Sequence, residues 1–120
     1  MAPSVKVMVV DDSAPVRQQV GLALSQAGYD VVFAVDGQDG VEKFATTGPI
    51  AMVLCDVNMP RMTGLELLEK IGRAVPVVML TTEGQPELKK RAKALGARGW
   101  IIKPFVPDLL VAAVKQLAGG

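Results

Sequence analysis

At 120 residues the chain has the length of one ordinary domain, and we expect a single domain over residues 1–120 without an internal linker. Its 13 basic and 12 acidic residues nearly cancel, so no net field directs it toward nucleic acid or a membrane surface. The sequence contains no histidine, which excludes a histidine zinc site, a histidine general base and a histidine-activated nucleophile within this chain.

The single cysteine, Cys55, lies in an apolar run and cannot close an internal disulfide. We find no signal peptide and no apolar span of membrane length. These features predict a cytoplasmic protein that binds neither membrane nor nucleic acid, so any partner must be recognised by a local surface.

Five apolar runs predict five β-strands. Several of them lack polar alternation, which is typical of parallel strands that are covered on both faces. The runs occupy residues 5–10, 31–35, 50–55, 75–80 and 99–102. Five helical patterns follow these runs in turn: the first between the N-cap candidate Ser13 and Gly28, then residues 37–45, residues 64–71, a helix from Pro86 to Gly96, and one that opens at Pro107.

Strands that alternate with helices predict an α/β fold with a doubly wound, five-stranded parallel sheet and helices on both faces. In such a sheet, ligands bind outside the carboxyl ends of the strands. Polar side chains follow four of the predicted strands at this edge. They are Asp11 and Asp12 after the first, Asp56 after the third, Thr81 and Thr82 after the fourth, and Lys103 after the fifth.

The acidic residues at this edge predict a metal site. Two like charges about 4 Å apart repel by about 4 kcal/mol at an effective dielectric constant near 20, so Asp11, Asp12 and Asp56 need a compensating cation. Lys103 supplies one positive charge. The remainder suits a hard divalent ion such as Mg²⁺, which takes carboxylate oxygens while keeping some of its water.

The same residues carry a resemblance to a known family. The pair Asp11-Asp12, Asp56 in DVNMPRMTG, Thr81 after VVML and Lys103 in IIKPF together resemble the receiver domain of two-component response regulators. The resemblance covers the whole chain and implies a flavodoxin-like sheet with the strand order 2-1-3-4-5. It also implies a sensor histidine kinase as phosphodonor, which must be a separate protein because this chain has no histidine.

The resemblance implies a role for each matching residue. Asp56 would accept the phosphoryl group, with Thr81 and Lys103 as its catalytic partners. Asp12 and Asp56 would coordinate Mg²⁺ together with the main-chain carbonyl of Asn58, and Asp11 would act mainly through water.

Further positions would belong to the switch and to its timing. Thr81 and Trp100 would move together on phosphorylation, and the side chains at Asn58 and Glu83 would tune hydrolysis of the acyl phosphate. The bond between Lys103 and Pro104 resembles one that receivers hold in cis. Thr81 as a plain strand-end hydroxyl, with Thr82 as its rival, and Trp100 as a core aromatic remain alternatives.

The fourth predicted helix carries a basic run, with Leu88, Ala92 and Leu95 on its inward side. This run is either a solvated face or part of a docking surface for a downstream target, which receivers form from the fourth helix, fifth strand and fifth helix. The run comprises Lys89, Lys90, Arg91 and Lys93. Among the methionines, we expect Met62 to be an exposed contact, and Met52, Met59 and Met79 to pack internally.

The stretch TTEGQPELKKRAKALGARGWIIKPF is similar to stand-alone chemotaxis regulators, which favours a role in chemotaxis or motility. A phosphate sink, a phosphorelay intermediate and a receiver cut from a longer regulator are alternatives within the family. A metal-dependent phosphatase with an aspartyl nucleophile is the alternative from another class. Such enzymes usually need a second acid two residues after the nucleophile, where this chain has Asn58.

Overall fold

The computed structural model describes residues 5–59, 62–82 and 84–118, in which strands and helices alternate as predicted. The strands form one parallel sheet in the order β2-β1-β3-β4-β5, which confirms the doubly wound fold. The elements are β1 (Lys6–Val10), α1 (Ala14–Gln26), β2 (Asp30–Ala34), α2 (Gly37–Thr46), β3 (Met52–Cys55), α3 (Gly64–Ile71), β4 (Val77–Thr81), α4 (Pro86–Ala94), β5 (Gly99–Ile102) and α5 (Pro107–Ala118).

Two strand boundaries differ from the predicted ones by more than one residue. β3 begins at Met52 and β4 begins at Val77, each two residues later than its apolar run. Pro76 explains the second shift, because a proline has no N–H group to donate to a ladder. β4 also extends to Thr81, whose carbonyl accepts a hydrogen bond from the Lys103 N–H at 2.9 Å.

The core consists of two apolar layers, one on each face of the sheet. α1 and α5 cover one face, where Leu24 and Leu110 are buried beneath them. α2, α3 and α4 cover the other face, where Leu67 and Leu68 of α3 are completely buried. The central strands β1, β3 and β4 are therefore buried on both sides, which explains their continuous apolar sequences.

Local signals fix the predicted helix ends. The Ser13 hydroxyl accepts a hydrogen bond from the Val16 N–H at 3.4 Å and caps α1. Gly28 and Gly96 follow α1 and α4 with φ angles of 96° and 110°, a left-handed conformation that glycine adopts without a steric penalty.

The expectation that Met62 is exposed is wrong. Its relative exposure is 8%, and it belongs to the core layer beneath α2, α3 and α4. Met62 fits there because Gly37, at the start of α2, has no side chain. A Cβ at position 37 would lie 2.6 Å from the Met62 Cβ, which is too close. Met52, Met59 and Met79 are buried, as predicted.

The helices have 8 to 13 residues each, whereas a helix that spans a bilayer needs about 20. Within the described ranges, none of them combines the length and the apolar composition that a membrane crossing requires.

Candidate functional site

The acidic residues at the carboxyl edge of the sheet converge on one point. Asp11 follows β1 and Asp56 follows β3, the neighbouring strands between which the strand order reverses. Each of Asp11, Asp12 and Asp56 offers a carboxylate oxygen that lies within 4.8 Å of those of the other two. Asp11 and Asp56 are buried, with relative exposures of 2% and 8%, whereas Asp12 is exposed. The cluster of three acids is thus buried on one side and open to solvent on the other.

Hydrogen bonds hold the loop that carries Asp11. Its Oδ1 accepts from the Ser13 N–H at 2.9 Å, and its backbone carbonyl accepts from Nη1 of Arg17 at 2.6 Å. The first contact is the turn that aspartate commonly makes with the residue two positions on, so the sequence carries a signal for it. The role of Arg17 was not predicted from the sequence, since it depends on the path of the chain from Asp11 into α1.

Asp56 is positioned by its backbone and by the start of α3. Its N–H donates to the Val10 carbonyl at 3.0 Å, and its Oδ1 accepts from the Val57 N–H at 2.8 Å. Gly64, the first residue of α3, donates its N–H to the Val57 carbonyl at 2.8 Å. A Cβ at Gly64 would collide with the backbone carbonyl oxygen of Asp56, so the close approach of α3 depends on this glycine. Gly64 was predicted to begin a helix, but the sequence carries no signal for this contact with Asp56.

Lys103 extends from the end of β5 into the acidic group. Its Nζ lies 2.7 Å from Asp11 Oδ2 and 3.4 Å from Asp56 Oδ2, so it pairs with both buried carboxylates. The peptide bond that follows, between Lys103 and Pro104, is cis. The shorter of the two ion pairs is with Asp11, a contact that the sequence alone did not specify.

The charges in this group influence one another. Burial raises the pKa of the Asp11 carboxyl, although hydrogen bonds from Lys103 and Ser13 act in the opposite direction. Burial lowers the pKa of the Lys103 ammonium, but the hydrogen bond and charge of Asp11, together with Asp56, outweigh this effect and raise it overall. Lys103 therefore stays protonated at neutral pH. Burial makes ionisation of Asp11 cost free energy, and a further positive charge nearby would reduce that cost.

The residues present fit a hard divalent cation. Three carboxylates face one lysine, so two negative charges are left uncompensated when all the acids are ionised. Oxygen ligands from carboxylates are those that Mg²⁺ and Ca²⁺ prefer. The exposure of Asp12 leaves room for water or a phosphoryl oxygen on the open side. Buried Cys55 adds no ligand, since burial raises the pKa of its thiol and keeps it protonated.

The other predicted site residues lie around this group. Thr81 is the last residue of β4, the neighbour of β3, and is completely buried, whereas Thr82 is exposed. Asn58 is exposed two residues after Asp56. Trp100 is paired with Met79 in the sheet register and packs, partly exposed, against the core layer beneath α4. Glu83 lies outside the described residues.

A doubly wound sheet that brings three acids and a lysine together at its switch point has the architecture of a receiver-type signalling domain. Comparison with known families supports this class, since residues 7–115 match the response regulator receiver domain. The chain belongs to that family. Mg²⁺ binding and phosphorylation are typical of it.

Similar proteins include several chemotaxis proteins. CheY of Treponema pallidum (strain Nichols) is 44% identical over 105 residues, which cover 83% of this chain and 73% of that protein. CheY1 of Helicobacter pylori (strain ATCC 700392 / 26695) is 34% identical over 120 residues, which cover 95% of this chain and 97% of that protein. The structure of Vibrio cholerae CheY4 superposes with a TM-score of 0.88 at 40% identity and covers 96% of this chain and 99% of that one.

Proposed function

We propose that this chain is a single receiver domain that accepts a phosphoryl group on Asp56 from a sensor histidine kinase, in a reaction that depends on Mg²⁺. The observation that carries this proposal is the position of Asp56, a buried carboxylate at the switch point of the sheet with acidic neighbours and the Lys103 ammonium 3.4 Å away. A phosphoryl group there would meet both a cation site and a lysine.

The proposed metal ligands are Asp12, Asp56 and the main-chain carbonyl of Asn58, with Asp11 acting through water. Bound Mg²⁺ would neutralise charge on the oxygens of the transferring phosphoryl group. Asp11 has a second task in this arrangement, since its 2.7 Å contact with Lys103 holds the ammonium within reach of Asp56. The hydrogen bond from Arg17 to the Asp11 carbonyl keeps the loop of the first two acids in place.

In the transfer step, a carboxylate oxygen of Asp56 attacks the phosphorus of a phosphohistidine on the kinase. A P–O bond to Asp56 forms as the P–N bond to the imidazole breaks, and the bonding electron pair stays with the imidazole nitrogen. Lys103 pairs with the transferred oxygens. Hydrolysis of the acyl phosphate then resets the protein, at a rate tuned by the side chains at Asn58 and Glu83.

The new charge on Asp56 would bias a switch that involves Thr81 and Trp100. The Thr81 hydroxyl would move toward the phosphoryl oxygens, and Trp100 would shift with it. Trp100 is only partly covered by α4, so this ring has room to change its packing. The surface formed by α4, β5 and α5 would carry the change to a downstream target. The chemotaxis proteins among the similar sequences support a cytoplasmic role in chemotaxis or motility.

The proposal is tested by activation in solution. Trp100 is the only tryptophan, so its fluorescence should change when Mg²⁺ and beryllium fluoride, or Mg²⁺ and acetyl phosphate, are added. Asp56→Asn should abolish the response, whereas Asp108→Asn, at an exposed position on α5, should leave it unchanged. Intact-mass analysis and peptide mapping after acetyl phosphate should place one phosphoryl group on Asp56. A phosphoryl group on another residue would refute the assignment.

The metal site can be tested without phosphorylation. Mg²⁺ alone should raise the midpoint of thermal unfolding in a concentration-dependent way, because it binds only the folded acidic group. Asp12→Asn should weaken this effect, since it removes one proposed ligand on the exposed side of the site. A stabilisation by Mg²⁺ that is equal in the variant would place the ion elsewhere.

A further inference from the structure

β2 lies at one edge of the sheet and, across residues 5–59, 62–82 and 84–118, pairs with β1 alone. The N–H of Asp30 and the carbonyl of Ala34 both hydrogen-bond to the β1 segment. Alternate residues of a strand direct their backbone groups to opposite sides. The backbone groups of Val31, Phe33 and Val35 therefore point away from the sheet.

Two side chains of α2 cover part of this edge. Lys43 Nζ donates to the Phe33 carbonyl at 2.6 Å, and Asp39 Oδ2 accepts from the Val35 N–H at 3.0 Å. The two side chains also form an ion pair with each other at 3.4 Å. Unpaired backbone groups on an edge strand are a template for another strand. Lys43 and Asp39 therefore occupy two groups with which another strand would otherwise pair.

The covered segment has the composition of a strand that pairs with copies of itself. Residues 31–35 read VVFAV, with three valines and one phenylalanine and without a charge, a proline or a glycine. Short windows of this kind associate with one another when their edge is accessible. Phe33 and Val35 have relative exposures of 38% and 45%, so their side chains would add apolar surface to such a contact.

We propose that the side chains of Asp39 and Lys43 keep this chain from pairing with a second copy of itself through β2. When these side chains leave the edge, two copies join their β2 strands in an antiparallel dimer, and the two sheets become continuous. Asp56 takes no part in this contact, so the dimer is independent of the proposed function.

A second copy is the matching partner because the edge is self-complementary. With a two-fold axis at Phe33, the two Phe33 residues exchange both of their backbone hydrogen bonds, and Val31 of each copy pairs with Val35 of the other. Every outward donor then meets an outward acceptor of the same segment. This pairing needs the Phe33 carbonyl and the Val35 N–H, which are the groups that Lys43 and Asp39 occupy.

Sedimentation equilibrium of the whole chain tests this dimer. Asp39→Ala together with Lys43→Met removes both covering groups, and this double variant should form a dimer. Its dissociation constant should be at least about tenfold lower than that of the parent, which should sediment as a monomer. The matched control, Asp39→Asn with Lys43→Arg, keeps an oxygen acceptor and a nitrogen donor and should stay monomeric. A monomeric double variant, or a control that dimerises as strongly, would overturn the proposal.

Hydrogen exchange locates the contact. In dilute samples, the Val35 amide should exchange several-fold faster in Asp39→Ala than in the parent, because its acceptor is gone. As the dimer of the double variant forms, the Phe33 and Val35 amides should become protected, while exchange in β5 stays the same. Protection confined to α1 and α5 would place the interface elsewhere and refute pairing through β2. If the double variant fails to fold, Asp39→Ala alone should still dimerise, and a monomer would overturn the proposal.

A charge at the two-fold axis should reverse the association. Phe33→Lys, added to the double variant, should restore the monomer, because two lysines would face each other across the paired strands. The Phe33 ring lies close to Gly21 of α1, and the long stem of a lysine can still cover that glycine. A dimer that persists in this variant does not use the proposed pairing. Since each chain has one β2 edge, assemblies larger than a dimer would also refute it.

Discussion

Helices α3 and α4 cover the same face of the sheet, but they are held very differently. Of the eight residues of α3, five are buried, including the completely buried Leu67 and Leu68. Of the nine residues of α4, only Ala92 is buried; Leu88 is partly exposed, and so is Leu95 at the C-cap position just after the helix. Burial of apolar side chains therefore stabilises α3 more than it stabilises α4.

The starts of the two helices differ in the same way. Thr63 and Glu66 form a capping box at α3, and Gly64 brings its first turn against the backbone of Asp56. At α4 the N-cap position is Gln85, whose side chain makes no capping hydrogen bond. The turn that supports Asp56 is thus fixed, and the helix beside Trp100 begins without such support.

The difference between the two helices bears on where a proposed conformational change would occur. Regions with few buried apolar contacts open at low free-energy cost, and conformational switches are drawn from such regions. Under the proposed function, a fixed α3 would keep Asp56 and its loop in place for phosphoryl transfer. A loosely packed α4 would then let the outer surface respond to a new charge at the site.

The largest expected effect comes from shortening one leucine on each helix. Leu68→Ala in α3 should lower the free energy of unfolding by about 2–5 kcal/mol, because it leaves a cavity at a completely buried position. Leu88→Ala in α4 should cost about 1 kcal/mol or less, since that side chain is already partly exposed. Urea unfolding of both variants measures the difference. Equal losses would contradict the view that α4 is the loosely held helix.

A matched pair of glycines provides the second test. Gly64→Ala should cost about 1–3 kcal/mol, because the new Cβ collides with the Asp56 carbonyl and must displace it. Gly84→Ala lies just before α4, where the nearest atom to a new Cβ is Ile102 Cδ1 at 3.7 Å, and it should change stability by less than about 0.5 kcal/mol. Unfolding and the phosphorylation rate should be measured together. A Gly64→Ala protein that is phosphorylated normally would show that Asp56 tolerates the displacement.

The sequence predicted which residues form the site better than it predicted the residues that hold them in place. The rule that ligands bind at the carboxyl ends of parallel strands located Asp11, Asp56 and Lys103 without coordinates. The strand order itself came from the family resemblance and was then confirmed. Arg17 and Gly64 were missed because their roles are contacts between elements, for which neither helical periodicity nor composition carries a signal.

Burial was predictable where spacing alone determines it. Leu67, Leu68 and Ile71 share the inward face of α3, and the basic run of α4 is exposed, which fits both a solvated face and a docking surface. Met62 could not be placed in this way, because it lies in a loop, where no periodicity defines an inward side. Its burial depends on the missing side chain of Gly37, a residue 25 positions away in the sequence.

Removing the cap of α3 gives the third test. Thr63→Ala deletes the hydroxyl that accepts from the Glu66 N–H at 3.3 Å and should cost about 1 kcal/mol. Glu66→Gln retains the side-chain oxygen that accepts from the Thr63 N–H and should cost less, so it is the control. Urea unfolding with both variants measures the two values. No loss in Thr63→Ala would mean that the close packing of Gly64 alone fixes the start of α3.

The smallest expected effect is a gain at the start of α4. Gln85 has φ −65° and ψ 130°, an extended conformation compatible with an N-cap, so Gln85→Ser supplies a hydroxyl that is able to accept from the Leu88 N–H. The gain should be about 0.5 kcal/mol, at the low end for caps, because α4 contributes little buried surface to hold the new contact in place. Hydrogen exchange at the first amides of α4 should slow, while exchange in α3 stays the same. Unchanged exchange in α4 would mean that its opening is not limited by its first turn, and the difference between the helices would then lie in their packing alone.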